Sequence, residues 1–137
     1  MTGVVVDAST ALAWCFPDEI SDYADTVLAS LEGKTILVPA VWSLEIANAI
    51  LAGERKKRLR QPEIRRFTTL LESLSLIQEM RPVGENVSNV LPVAREYGLS
   101  AYDAAYLELS IRRGAAIATL DGKLQKAAKQ AGVEIFL

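Results

Sequence analysis

Histidine is absent from this chain, and cysteine occurs once, at Cys15. Without histidine there is no Ser-His-Asp triad, no Cys-His protease pair, no imidazole acid–base catalyst and no His-ligated metal centre. A single cysteine excludes an internal disulfide and any multi-cysteine zinc site. Long apolar runs are missing too, none reaching the ~18 residues of a membrane span. The opening Thr2-Gly3-Val4-Val5-Val6-Asp7 lacks the basic start and extended apolar region of a signal peptide, so the expected location is the cytoplasm. Nor is there an excess of positive charge: the net charge is −2, and any nucleic-acid binding needs a local basic patch. Chemistry is left to carboxylates, hydroxyls, lysines, arginines or a bound hard cation.

What is present describes a folded α/β domain. The length of 137 residues fits one domain, 1–137, and half of the residues are hydrophobic. Gly3-Val4-Val5-Val6 is a short β-branched run that stops at a polar residue, the pattern of a buried parallel strand. Thr35 to Val38, closed by Pro39, reads the same way, as do Ala115 to Leu120 and Val133 to Phe136; a weaker strand is expected over Leu76 to Met80. Helical periods lie between. Ser21 is placed to cap a helix carrying Ala24, Leu28 and Leu31 and ending at Gly33. Pro62 suits a first turn ahead of Ile64, Phe67, Leu70, Leu71 and Leu74. Further helices are expected over 40–58, 85–97, 101–113 and 121–131. Strands alternating with helices predict right-handed crossovers and a three-layer α/β/α sandwich around a mainly parallel sheet.

Four acids stand out against this frame. Ligands of open α/β sheets bind beyond the carboxyl ends of the strands, where Asp7 follows Val4-Val5-Val6 and Asp121 follows Ile117-Ala118-Thr119-Leu120. The plain alternative for both is a helix N-cap. Glu45 lies in the apolar run Val41-Trp42-Ser43-Leu44-Glu45-Ile46-Ala47-Asn48-Ala49-Ile50-Leu51, without a lysine or arginine one turn away. It is either a polar strip or a functional charge. Asp103 opens a helix rich in alanine and leucine, where Ser100 three residues before it also reads as a capping box. If the four converge, they repel and raise one another's pKa unless a cation neutralises them. All-oxygen ligands select a hard ion, Mg²⁺ or Mn²⁺, which lowers the pKa of a bound water and offsets charge on a phosphate under in-line attack. Ser9 and Thr119 are placed to support the ligands.

Residues 55–66 hold seven cations (among them Arg55, Lys56, Lys57, Arg58 and Arg60) and one acid. They read either as a solvated helix end or as a surface that tracks RNA phosphates. Arg112-Arg113 reads as an ordinary helix terminus. Trp14 and Phe16 read first as core, and otherwise as a surface for a partner or for stacked bases.

These motifs resemble the PIN-domain ribonucleases, and more narrowly the VapC-type toxins of toxin–antitoxin pairs. The resemblance rests on Val4-Val5-Val6-Asp7-Ala8-Ser9, Pro39-Ala40-Val41-Trp42-Ser43-Leu44-Glu45-Ile46-Ala47-Asn48, Leu99-Ser100-Ala101-Tyr102-Asp103-Ala104-Ala105-Tyr106 and Ala118-Thr119-Leu120-Asp121-Gly122-Lys123-Leu124. It implies a Mg²⁺-dependent endoribonuclease whose acidic cluster is Asp7, Glu45, Asp103 and Asp121, with Ser9 and Thr119 as polar support. It also implies a homodimer, and a cognate antitoxin in a groove beside the site, with higher toxin–antitoxin assembly open. Gly122 loosens the turn after Asp121 and leaves open whether that acid touches the metal. The residues admit two rivals. A phosphotransfer domain with Asp7 as nucleophile needs a second acid two positions on, where Ser9 stands. An inactive interaction module would use all four acids as caps.

Overall fold

The computed structural model describes residues 3–137; Thr2, with which the N-terminal reading begins, lies outside them. In chain order the elements are β1 (Gly3–Val6), α1 (Ala8–Cys15), α2 (Asp22–Ala29), β2 (Thr35–Pro39) and α3 (Trp42–Arg55). There follow α4 (Gln61–Ser73), β3 (Leu76–Glu79), α5 (Val83–Tyr97), α6 (Ala101–Arg113), β4 (Ala116–Ala118) and α7 (Gly122–Gln130). The four strands form one sheet in the order β3-β2-β1-β4, and every pairing is parallel. The expected α/β sandwich is what forms.

The apolar runs become the centre of the sheet because both faces are covered. Val4, Val5, Val6, Ile36, Leu37 and Val38 are each at most 3% exposed, as an all-parallel strand flanked by helices requires. Going from β1 to β2 to β3 the chain steps one way; β4 then returns to the far side of β1. With right-handed crossovers, that reversal puts α1 to α4 on one face and α5 to α7 on the other. The packing agrees: α1 touches α2, α3 and α4, while α6 touches α5 and α7. The reversal also opens a crevice between the carboxyl ends of β1 and β4, the position where ligands enter such sheets.

Local signals set the element ends. Ser21 accepts a hydrogen bond from the Ala24 amide and Ser100 from the Asp103 amide, each capping its helix. Gly114 ends α6 at φ 61°, a left-handed conformation that costs a glycine nothing. Gly53, inside α3, is needed for another reason. A Cβ there would sit 2.6 Å from Cε1 of Phe16, so the glycine lets the ring lie against the helix.

Two expectations change. Val133 to Phe136 is not a strand: it makes a single parallel bridge, Ile135 to Ile117, held by the Ile117 amide on the Glu134 carbonyl and the Phe136 amide on the Ile117 carbonyl. β4 stops at Ala118, so Thr119 and Leu120 belong to the turn beyond it. Helix α1 has no counterpart in the sequence reading.

Candidate active site

Asp7 is the centre of the site. It stands where β1 ends, its amide donates to the Ala118 carbonyl of β4, and it is only 4% exposed. Its carboxylate accepts from three donors: the Thr10 amide at 3.0 Å, the Ser9 hydroxyl at 2.8 and 2.9 Å, and the Thr119 hydroxyl. Both hydroxyls are relays. Ser9 Oγ accepts from the Leu120 amide at 3.2 Å, and Thr119 Oγ1 accepts from the Asp121 amide at 3.0 Å. The turn after β4 is thereby stitched to the end of β1 through the two polar residues expected to support the acids. Burial raises the Asp7 pKa, and the hydrogen bonds from Thr119, Thr10 and Ser9 pull against that rise.

The other three acids form a chain of electrostatic neighbours around it. Burial raises the pKa of Glu45, the Tyr106 hydroxyl opposes the rise, and the charges of Asp103 and Asp7 add to it. Burial also raises Asp103, as does the charge of Asp121, against the hydrogen bond of Ser100 and the cation of Lys123. Each acid therefore senses another, in the sequence Asp7, Glu45, Asp103, Asp121. Capping and clustering coexist: Asp7 caps α1, and Asp121 caps α7 by accepting from the Lys123 and Leu124 amides. As the side chains stand, among the described residues no three acids close into a ready-made metal cage.

The chemistry of the donor set suits a hard divalent cation. It is oxygen only, three of its members are destabilised in the charged form by burial, and two of those also by acidic neighbours. Tyr106, which donates to Glu45 Oε1, was not singled out from sequence. Its signal is spacing: three residues after Asp103 it shares a face of α6 with that acid.

The basic stretch is divided. Arg55 ends α3, and Lys57 adopts the left-handed conformation at φ 58° in the turn that follows. Arg58 is already engaged, in two hydrogen bonds of 2.9 Å to Asp18 and over the Phe16 ring at 4.2 Å from its centroid. Arg60 pairs with Glu63 at 3.8 Å. Phe16 is core, as read first, while Trp14 is half-buried and donates its indole N–H to the Ala24 carbonyl at 2.8 Å. Arg112 and Arg113 cross to Glu79 on β3, and Arg112 also binds Glu108, so they are more than a helix end.

A family model for the PIN domain matches residues 4–130. The chain is similar to Ribonuclease VapC3 of Pyrobaculum aerophilum, 28% identical over 121 residues, which span 88% of this chain and 91% of that protein. The crystal structure of PAE2754 from Pyrobaculum aerophilum matches with a TM-score of 0.67 at 26% identity, covering 92% of this chain and 79% of that one. FitAcB from Neisseria gonorrhoeae, 16% identical, matches with a TM-score of 0.63 over 98% of this chain and 96% of that one, a likeness of fold alone.

Proposed function

Since this chain belongs to the PIN domain family, we propose that it is a metal-dependent endoribonuclease, the toxin of a toxin–antitoxin pair, and that Asp7, Glu45, Asp103 and Asp121 hold its ion. The observation that carries the reading is the carboxylate of Asp7, buried at the crevice between β1 and β4 and coupled to Glu45 of α3, which is coupled in turn to Asp103 of α6. The similarity to a named ribonuclease over most of both chains supports the substrate class.

Mg²⁺ or Mn²⁺, when bound, supplies an activated water and neutralises charge developing on the phosphate. The residues do the rest. Ser9, Thr119 and the Thr10 amide fix both oxygens of Asp7, so that this ligand costs no reorganisation. Asp103 and Asp121 add negative charge from the first turn of α6 and the start of α7; the cap that Asp121 makes leaves open whether it touches the ion or acts through a water. Arg55, Lys56, Lys57 and Arg60, all exposed, would track the RNA backbone, and Arg58 would hold their loop through Asp18 rather than meet phosphate.

A second copy of the chain and an antitoxin both need apolar surface, and the fold leaves it. Val83 is 81% exposed, Val87 51% and Leu91 40% along α5, with Tyr102 at 61% beside them on α6. Among the described residues no helix is long and apolar enough to cross a membrane.

The test is cleavage. The purified chain should cut RNA with Mg²⁺ or Mn²⁺ and stop on chelation, and Asp7→Asn should abolish cutting while its circular dichroism stays that of the parent. Undiminished cutting by folded Asp7→Asn would sink the assignment.

A further inference from the structure

The four acids are not held alike. Asp7 and Asp121 are fixed by the amides of the helices they begin. Asp103 sits in the first turn of α6, whose Ser100 cap fixes the backbone there. Glu45 has no such local support: Val41, at the N-cap of α3, makes no side-chain cap, and no lysine or arginine lies one turn from Glu45. Among the described residues the one hydrogen-bond partner of its carboxylate is the Tyr106 hydroxyl, sixty-one positions away in sequence, on Oε1. A glutamate on a half-exposed helix face has three side-chain torsions to fix, whereas Tyr106 has two and is 2% exposed. The ring is clamped in the core, and only its hydroxyl emerges to meet the acid.

We propose that Tyr106 is a positioning residue, a rigid post from α6 that aims Glu45 of α3 into the metal site and leaves Oε2 for the ion; this rests on the metal reading above. One helix face would then do two things: Asp103 supplies a ligand, and Tyr106, one turn later, orients another. Partners that orient a metal ligand change affinity by 10–100-fold when removed.

The experiment is Mn²⁺ binding to the full chain at pH 7, read from the paramagnetic resonance signal of free Mn²⁺. The variants are the parent, Tyr106→Phe, Glu45→Gln and the double variant, each checked by its melting curve. Tyr106→Phe is expected to weaken Mn²⁺ by about tenfold or more. Added to Glu45→Gln it should change affinity little, because the ligand it aims is already disabled. Parent-like affinity in Tyr106→Phe overturns the inference, and so does an equal loss in both backgrounds, the mark of general damage to the core. A parent that binds no Mn²⁺ at defined stoichiometry overturns the metal site and this inference together. Should Tyr106→Phe fail to fold, Glu45→Asp tests the bond from the helix surface. It keeps the charge but draws it back from the hydroxyl, with the same loss expected and parent-like affinity again contradicting the inference.

Discussion

Asp103 is strained as a charge. Burial, then the neighbouring charge of Asp121, hold its carboxyl pKa above the ordinary 3.8. A raised folded pKa contributes stability that is full below the unfolded value and is lost as pH rises through the folded one. At pH 7 and without metal, Asp103→Asn should therefore melt higher than the parent. Thermal melts should show that gain shrinking as pH falls through the raised folded pKa and gone below 3.8, where the parent's acid is protonated in both the folded and the unfolded state. Asp121 differs because it caps α7: Asp121→Ala loses that cap, worth about 0.5–2 kcal/mol, which Asp121→Asn keeps. Asp7 and Asp121, with Ser9 and Thr119 beside them, stand out in the sequence because strand ends announce themselves by where the β-branched runs stop; Glu45 and Asp103 stand out as acids in apolar helices. What the residues cannot announce is that capping and clustering are compatible, as Asp7 shows. Tyr106 is hidden for a related reason. Its role depends on meeting a residue of another helix, and no local pattern encodes that meeting.

At the scale of elements, β3 is an edge strand with little apolar burial, and ion pairs tie it to the body. Glu79 binds Arg112 and Arg113 of α6, and Glu108 of the same helix binds Arg81 just beyond the strand at 2.7 Å. The Arg112 guanidinium holds the Glu79 carboxyl below its ordinary 4.5. A lowered folded pKa contributes stability that is full above the unfolded value and is lost as pH falls through the folded one. Glu79→Gln should melt lower than the parent at pH 7, and the two curves should draw together as the pH falls below 4.5. Sequence periodicity finds this strand over Leu76 to Met80 and finds six of the seven helices, since a buried stripe or a cap marks each. Helix α1 escapes because its eight residues, Ala8 to Cys15, show no stripe of the right period; the signal for its start is Asp7 alone, which reads as an N-cap as well as a ligand. Val133 to Phe136 misleads in the other direction. Its apolar residues pack against the core, yet only Ile135 reaches β4.

For the whole molecule, function requires a negative site and a positive approach on a chain of net charge −2. On the proposed function, the exposed turn after α3 would supply the approach. Replacing Lys56, Lys57 and Arg60 by glutamine should weaken RNA binding at every sequence and flatten its salt dependence by about one unit per lost phosphate contact. Filter binding across a salt series checks it, and an unchanged slope would return the stretch to a solvated helix end. A metal held by the acids would link them to the fold, because a ligand that binds only the folded form stabilises it by mass action. The most direct measurement is therefore the melting temperature, with and without Mg²⁺, of the parent and of Asp7→Asn, Glu45→Gln, Asp103→Asn and Asp121→Asn. If the four acids form one site, Mg²⁺ raises the parent's melting temperature and raises that of each variant much less. An equal Mg²⁺ shift in the parent and in all four variants would contradict a single shared site.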